Sequence, residues 1–236
     1  MSSMHVLESY RRAHRKIEYI IHTLCSQLTD VLLLFSSMFR VVIHARIKIH
    51  KAYLLHDLGN DNDARKEVDE AEMMLSLGEC HDDTAEATYA KANIILSSNQ
   101  NSKVDQQEIL HQLDKTLKYC EKATVDKSNT IVQVMLRKAL VHLGYYQHGI
   151  LDKVPSSDVD TAEIVLSRIP RPFEELSRRS KIYYTYSQSL LAYRKGDINR
   201  AVELEDEARR DCELHDLTNE IQQLDLLKDL LRAQPH

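Results

Sequence analysis

The residues best suited to chemistry in this chain are its histidines, clustered carboxylates and tyrosines, and their spacing decides what each can do. His44, His50 and His56 are potential metal ligands six residues apart. On a helix that interval turns each successive ring by about 240°, so the three cannot converge on one ion. Cys80-His81-Asp82-Asp83 gathers suitable ligand types, but adjacent residues rarely meet at one metal. The expected role is a loop in which Asp82 or Asp83 caps the helix that follows. Paired carboxylates occur at Asp69-Glu70 and in the group Glu203, Glu205, Asp206 and Glu207. An acid–base pair needs an apolar pocket that raises one pKa, whereas these lie on Ala-rich amphipathic stretches expected to face water. P-loop, GxGxxG, GxSxG and HExxH patterns are all absent. The expectation is a non-enzyme with no catalytic residue, no metal site and no cofactor.

The tyrosines point to binding instead. Six of the 11 are Tyr145, Tyr146, Tyr183, Tyr184, Tyr186 and Tyr193. With the stretch before Gly196 helical, Tyr183, Tyr186, Leu190 and Tyr193 form one stripe, and Thr185, Ser189 and Ala192 form another. Close helix packing favours the small stripe, which leaves the aromatic one for a different neighbour. That neighbour is either a bound partner in a groove or the preceding helix pair, with the hydroxyls at the rim.

Long helices must position these stripes. The 236 residues include only 5 Gly and 4 Pro, and the residues between them are mostly strong helix formers. Charged residues make up 28%, with a net charge of −5. That balance argues against a general attraction to nucleic acid or anionic membrane. Cys25, Cys80, Cys120 and Cys212 are scattered without a CxxC, as expected of reduced thiols in a cytoplasmic protein. From Tyr19 to Phe39 the chain is apolar and follows Arg11, Arg12, Arg15 and Lys16. Asp30 would sit near mid-membrane at a cost of about 2.5–3.5 kcal/mol. Residues 1–40 are therefore expected to be a helical segment packed on the rest, with a membrane anchor over 19–39 as the alternative.

A repeated pattern organises the remainder. A helix over Ala45–Gly59 ends in Leu58-Gly59, and a second opens at Ala64 with Val68 and Ala71 on the same face. Small residues at Ala52, Ala64 and Ala71 allow close approach, while Leu55 and Val68 fill the gap. Gly59 suits the left-handed turn ending the first helix. Here the chain resembles a tetratricopeptide repeat (TPR), with Ala52, Leu58, Gly59, Ala64, Val68 and Ala71 at the family's characteristic places. Gly196, Ala201 and Ala208 repeat the pattern, although Lys195 and Glu205 replace apolar residues. Leu143-Gly144-Tyr145-Tyr146 starts a third copy, whose second helix is displaced past Pro155 and carries Ala162, Leu166 and Ile169. A fourth hairpin, about 83–97 and 104–123, follows from periodicity alone. Gly59, Gly144 and Gly196 are 85 and 52 residues apart, neither a multiple of the usual 34 or so, so the repeats are irregular.

The expected fold is all-α: an α-solenoid of TPR-like antiparallel helix hairpins wound as a right-handed superhelix. Residues 41–213 would hold four hairpins, and 214–236 a capping helix and tail. The resemblance implies a scaffold or adaptor that binds a peptide or helix of a partner protein on its concave face. The groove positions it implies are Arg46, Ile49, Tyr53 and His56 in the first repeat and Tyr183, Tyr186, Leu190 and Tyr193 in the last. Ile49 and Tyr53 stand where chaperone-binding members carry a carboxylate clamp, so that clamp is absent. The alternative is an RNA-binding helical-repeat protein using Arg168, Arg171, Arg178, Arg179 and Lys181, a cluster that Glu174 and Glu175 interrupt.

Overall fold

The computed structural model describes residues 37–78, 80–98, 103–146, 149–169 and 172–232. Nine α-helices run through these residues: α1 (Ser37–Asp57), α2 (Asp61–Ser76), α3 (His81–Ser97), α4 (Lys103–Lys122), α5 (Ser128–His142), α6 (Ser156–Ser167), α7 (Arg178–Arg194), α8 (Ile198–Leu214) and α9 (Thr218–Arg232). One two-stranded ribbon pairs β1 (Tyr145–Tyr146) with β2 (Gly149–Ile150) between α5 and α6. The protein is all-α in class. Most of the expected N-terminal segment, including residues 19–36, lies outside the described residues, and α1 runs through the expected boundary at residue 40. Among the described residues no helix is long and apolar enough to cross a membrane.

The helices pack chiefly on those next in order, and alternate helices also touch, α1 with α3, α5 with α7 and α7 with α9. In α1 and α2 the small residues lie where the sequence placed them. Ala45, Ile49, Ala52, Ala64, Val68 and Ala71 are all fully buried together, with Leu55 partly buried against them. Alanine there lets two backbones approach closely, so a larger side chain has no void to enter. Ala64→Leu or Ala71→Leu should cost about 1–3 kcal/mol through overpacking; a variant that melts like the parent would mean the helix register is wrong. The same logic holds at the other end, where Ser189 Oγ on α7 donates 2.6 Å to the carbonyl of Ala201 on α8. Only a small residue permits that approach.

Polar ends are satisfied locally. Asn60, Ser177 and Asp197 cap α2, α7 and α8 by accepting from the backbone N–H groups of Asp63, Ser180 and Arg200. The expected cap at α3 takes another form. Asp82 accepts instead from the Thr124 hydroxyl and N–H and the Val125 N–H beyond α4, and Asp83 pairs with Arg46 at 2.5 Å. Glu205, expected to face water, is buried beside Arg209, whose Nη2 is 2.7 Å away and also reaches Asp225 at 3.0 Å. Arg209 is the reason a carboxylate can replace an apolar residue there.

His142 gives the core a pH dependence. Burial at the end of α5 holds its imidazole below the ordinary histidine range, while Asp158, 3.3 Å from Nδ1, pulls the other way. With the folded pKa below the unfolded one, the unfolded chain takes up the proton first. Stability present at neutral pH is therefore lost as pH falls below about 6.5. His142→Gln should flatten the slope of unfolding free energy between about pH 7 and 5, measured by urea titration at each pH; an unchanged slope would remove His142 as its source.

Candidate functional site

Four of the described helices, α3, α5, α7 and α9, carry polar and aromatic side chains toward one region. Between α3, α5, α7 and α9 lies a cavity of about 670 Å³, within the range of ligand sites. Tyr89 comes from α3, Gln133 and Arg137 from α5, Tyr183 from α7 and Gln223 from α9, with Leu136, Leu140 and Leu226 among its apolar walls. Residues four apart on α5 share a face, which puts Gln133 and Arg137 on the cavity together. Tyr53 on α1 is largely buried just beyond, near enough to Tyr89 and Arg137 for their charges to influence it, and burial pushes its hydroxyl up to about 12.

Arg137 is the most unusual group. Its guanidinium carbon sits 4.9 Å from the centroid of the Tyr183 ring, a cation–π geometry. Tyr183, Tyr89 and Tyr145 surround it, and among the described residues no carboxylate pairs with it. The side chain keeps partial solvent contact because the cavity is open, while protein crowds it on every other side. Burial opposes its charge, and the three tyrosines, Tyr183 foremost, more than offset that and raise its pKa. This cation is held by the Tyr183 ring face and by the phenol oxygens of Tyr89 and Tyr145, not by a carboxylate.

Of two buried acceptors near it, the Tyr145 hydroxyl lies against the Arg137 guanidinium, while Gln223 Oε1 makes no hydrogen bond among the described residues. At the rim, by contrast, Arg179 Nε meets Glu220 at 2.8 Å. That pair cancels its own charge, which leaves Arg137 as the cavity's net positive charge.

The sequence-predicted groove residues divide into four groups. Tyr183 lines the cavity and Tyr53 lies beside it. Ile49, Tyr186 and Leu190 do not: each is at most 2% exposed, inside the core. Their placement in a groove is corrected: the structure puts them in the core, where Ile49 packs with Ala64, Val68 and Ile94, and Tyr186 and Leu190 with Leu140 and Leu224. Tyr186 meets Tyr145 edge-on, ring centroids 5.6 Å apart, and packs in the cluster that holds Leu140, Leu143, Leu190 and Leu224. Arg46 and His56 are engaged elsewhere, Arg46 in an ion pair with Asp83 and His56 Nδ1 in a hydrogen bond with Asp61 Oδ1 at 2.7 Å. Tyr193 stands at the far end of α7 beneath Arg194.

Tyr89, Arg137 and Gln223 were not legible as site residues. Tyr89 falls in the hairpin whose turn lacks Leu-Gly, so its register had no anchor. Arg137 sits in a helix read only for its terminal Leu143-Gly144. The one available signal was a Tyr on each of α1, α3 and α7, at places that face the same side once the helices are stacked. Among the described residues no three His, Cys, Asp or Glu side chains are grouped to hold a metal ion. Comparison with known proteins adds no precedent: no family model, no curated protein and no solved structure matches the chain.

Proposed function

We propose that this chain is a non-catalytic, cytoplasmic scaffold or adaptor that holds a peptide or helix of a partner protein. In this reading its hairpins stack as a TPR-like α-solenoid with a right-handed superhelical sense, and α1, α3, α5, α7 and α9 form the concave face. The observation that carries it is the 670 Å³ cavity shared by α3, α5, α7 and α9, with tyrosine and leucine walls and a few directed polar groups. Such a surface suits an extended or helical peptide with an apolar side chain. The residues proposed to bind are Tyr89, Arg137, Tyr183 and Gln223, with Tyr53 at one end. The RNA-binding alternative has less behind it, because Arg179, one of its basic residues, is paired with Glu220.

Peptides selected from a displayed random library against the full chain supply the test. Tyr183→Ala should weaken a selected peptide by about 2 kcal/mol, as aromatic anchors do, with a melting temperature close to the parent's. Unchanged affinity would end this placement of the site. Tight capture of a random-sequence RNA, lost steeply as salt rises, would favour the alternative.

A further inference from the structure

We infer that Arg137 is the receptor for a carboxylate carried by the bound peptide, and that Gln223 accepts an N–H from the amide beside it. The inference rests on the peptide-binding reading above and assigns the chemistry that the same cavity selects.

Three observations converge. Arg137 is a crowded cation with no carboxylate partner among the described residues, facing a 670 Å³ space that can admit one. Burying a charge without a counter-charge is costly, and other crowded cations here are provided for: Arg209 reaches Glu205 and Asp225, Lys91 reaches Asp69, Lys115 reaches Glu72, and Arg194 donates to three backbone carbonyls. Arg137 has neither kind of partner, and it faces the cavity between α3, α5, α7 and α9. With five N–H donors in a planar fork, only two of its neighbours being phenol oxygens (Tyr89 and Tyr145), a guanidinium is also the side chain best shaped to take a carboxylate through two parallel hydrogen bonds.

Charge sets the valence of the ligand. Arg137 and Arg179 supply two positive charges to the cavity and Glu220 one negative charge, so one carboxylate brings the site to neutrality. A phosphate dianion would overshoot and meet Glu220 at the rim. The walls agree with a peptide source. Tyr89, Tyr183, Leu136 and Leu226 offer apolar and aromatic surface around the cation, suited to the side chain next to a carboxylate. Gln223 Oε1 is a buried acceptor in need of a donor, and a peptide N–H adjacent to the carboxylate is such a donor. Neither a simple anion nor a fully apolar helix would satisfy both groups.

The carboxylate can be a chain terminus or an Asp or Glu side chain, and the experiment separates them. Three N-acetylated random tetrapeptide libraries are passed over the full-length chain, and retained species are identified by mass spectrometry. The first lacks Asp and Glu and ends in a free carboxylate. The second is identical but ends in an amide, and the third is the amide library with one fixed Glu. The first or the third should be retained at least about tenfold better than the neutral second, in line with a charge-assisted pair in a partly dry site; which of the two wins names the source. Arg137→Gln should erase that preference and Arg137→Lys keep part of it. Should Arg137→Gln fail to fold, the comparison of libraries on the parent chain still decides. Equal retention of all three overturns carboxylate recognition while leaving the peptide site standing, and retention of none overturns both. Displacement of bound peptide by inorganic phosphate at concentrations where acetate has no effect also overturns the assignment, in favour of a phosphate ligand.

Discussion

Tyr186→Ala is expected to lower the unfolding free energy by about 3–5 kcal/mol, the range for removing a large aromatic side chain from a packed core. The residue is 2% exposed, its ring meets Tyr145 edge-on, and its hydroxyl donates to the Gln223 carbonyl at 3.4 Å. Alanine would leave a cavity between α5, α7 and α9 and remove the aromatic pair, worth about 0.5–1.5 kcal/mol beyond its burial. It would also loosen the wall that backs Arg137, whose charge reaches Tyr186. Peptide binding should then fail through loss of folded protein. Tyr183→Ala, on the same helix but lining the cavity, should do the reverse and lose affinity at nearly constant stability. Urea unfolding of the two variants side by side checks the contrast. A Tyr186→Ala protein as stable as the parent would return this residue to the groove and displace the core described around it.

Gly144→Ala should cost about 2–5 kcal/mol, well above the same change at Gly59. Both glycines have positive φ, +81° at Gly144 and +77° at Gly59, and an L-residue in that conformation loses about 1–2 kcal/mol. The surroundings differ. A Cβ on Gly144 would meet Val154 Cγ1 at 2.7 Å, Leu151 Cβ at 3.1 Å and Arg194 Nη2 at 3.3 Å, while one on Gly59 would meet nothing within 4 Å. Overpacking adds about 1–3 kcal/mol at the first site only. Arg194 is part of the cost, because it pins the α5–α6 connection to the end of α7. Its Nε donates to the Leu143 carbonyl at 3.1 Å, its Nη1 to the backbone carbonyl of Asp152 at 2.9 Å, and its Nη2 to the carbonyl of Leu151. A side chain on Gly144 pushes against that clamp. Equal losses in the two variants would show that the loop gives way freely.

Much of the helical framework could be read directly from the residues. A helix repeats every 3.6 residues, so Ala64, Val68 and Ala71 declare a shared face without knowledge of what lies opposite. Gly59, Gly144 and Gly196 declare turns because few other residues tolerate positive φ, and all three adopt it. The small stripe of α7 was legible for the same reason, as the contact of Ser189 with Ala201 shows. Glu205 and Arg209 were visible as a pair four residues apart, but not as a buried pair, since burial depends on α9 arriving to cover them.

What the tertiary structure alone decided is which side of each helix faces a neighbour and which faces open space. The stripe Tyr183, Tyr186, Leu190 and Tyr193 is one continuous line in sequence, yet it is split: Tyr186 and Leu190 enter the core, Tyr183 opens on the cavity and Tyr193 reaches the far end. The split arises because Tyr145 and Leu224 pack with Tyr186 and Leu190, whereas Tyr183 lies where α3, α5, α7 and α9 leave a cavity between them. Arg137 has the same origin. Its own neighbours in the chain are Leu136 and Lys138, an unremarked stretch of amphipathic helix. It becomes a candidate site only when Tyr89, 48 residues earlier, and Tyr183, 46 residues later, are folded around it. Local sequence fixes the azimuth of a side chain on its helix, whereas its surroundings depend on how that helix meets others far away in the chain.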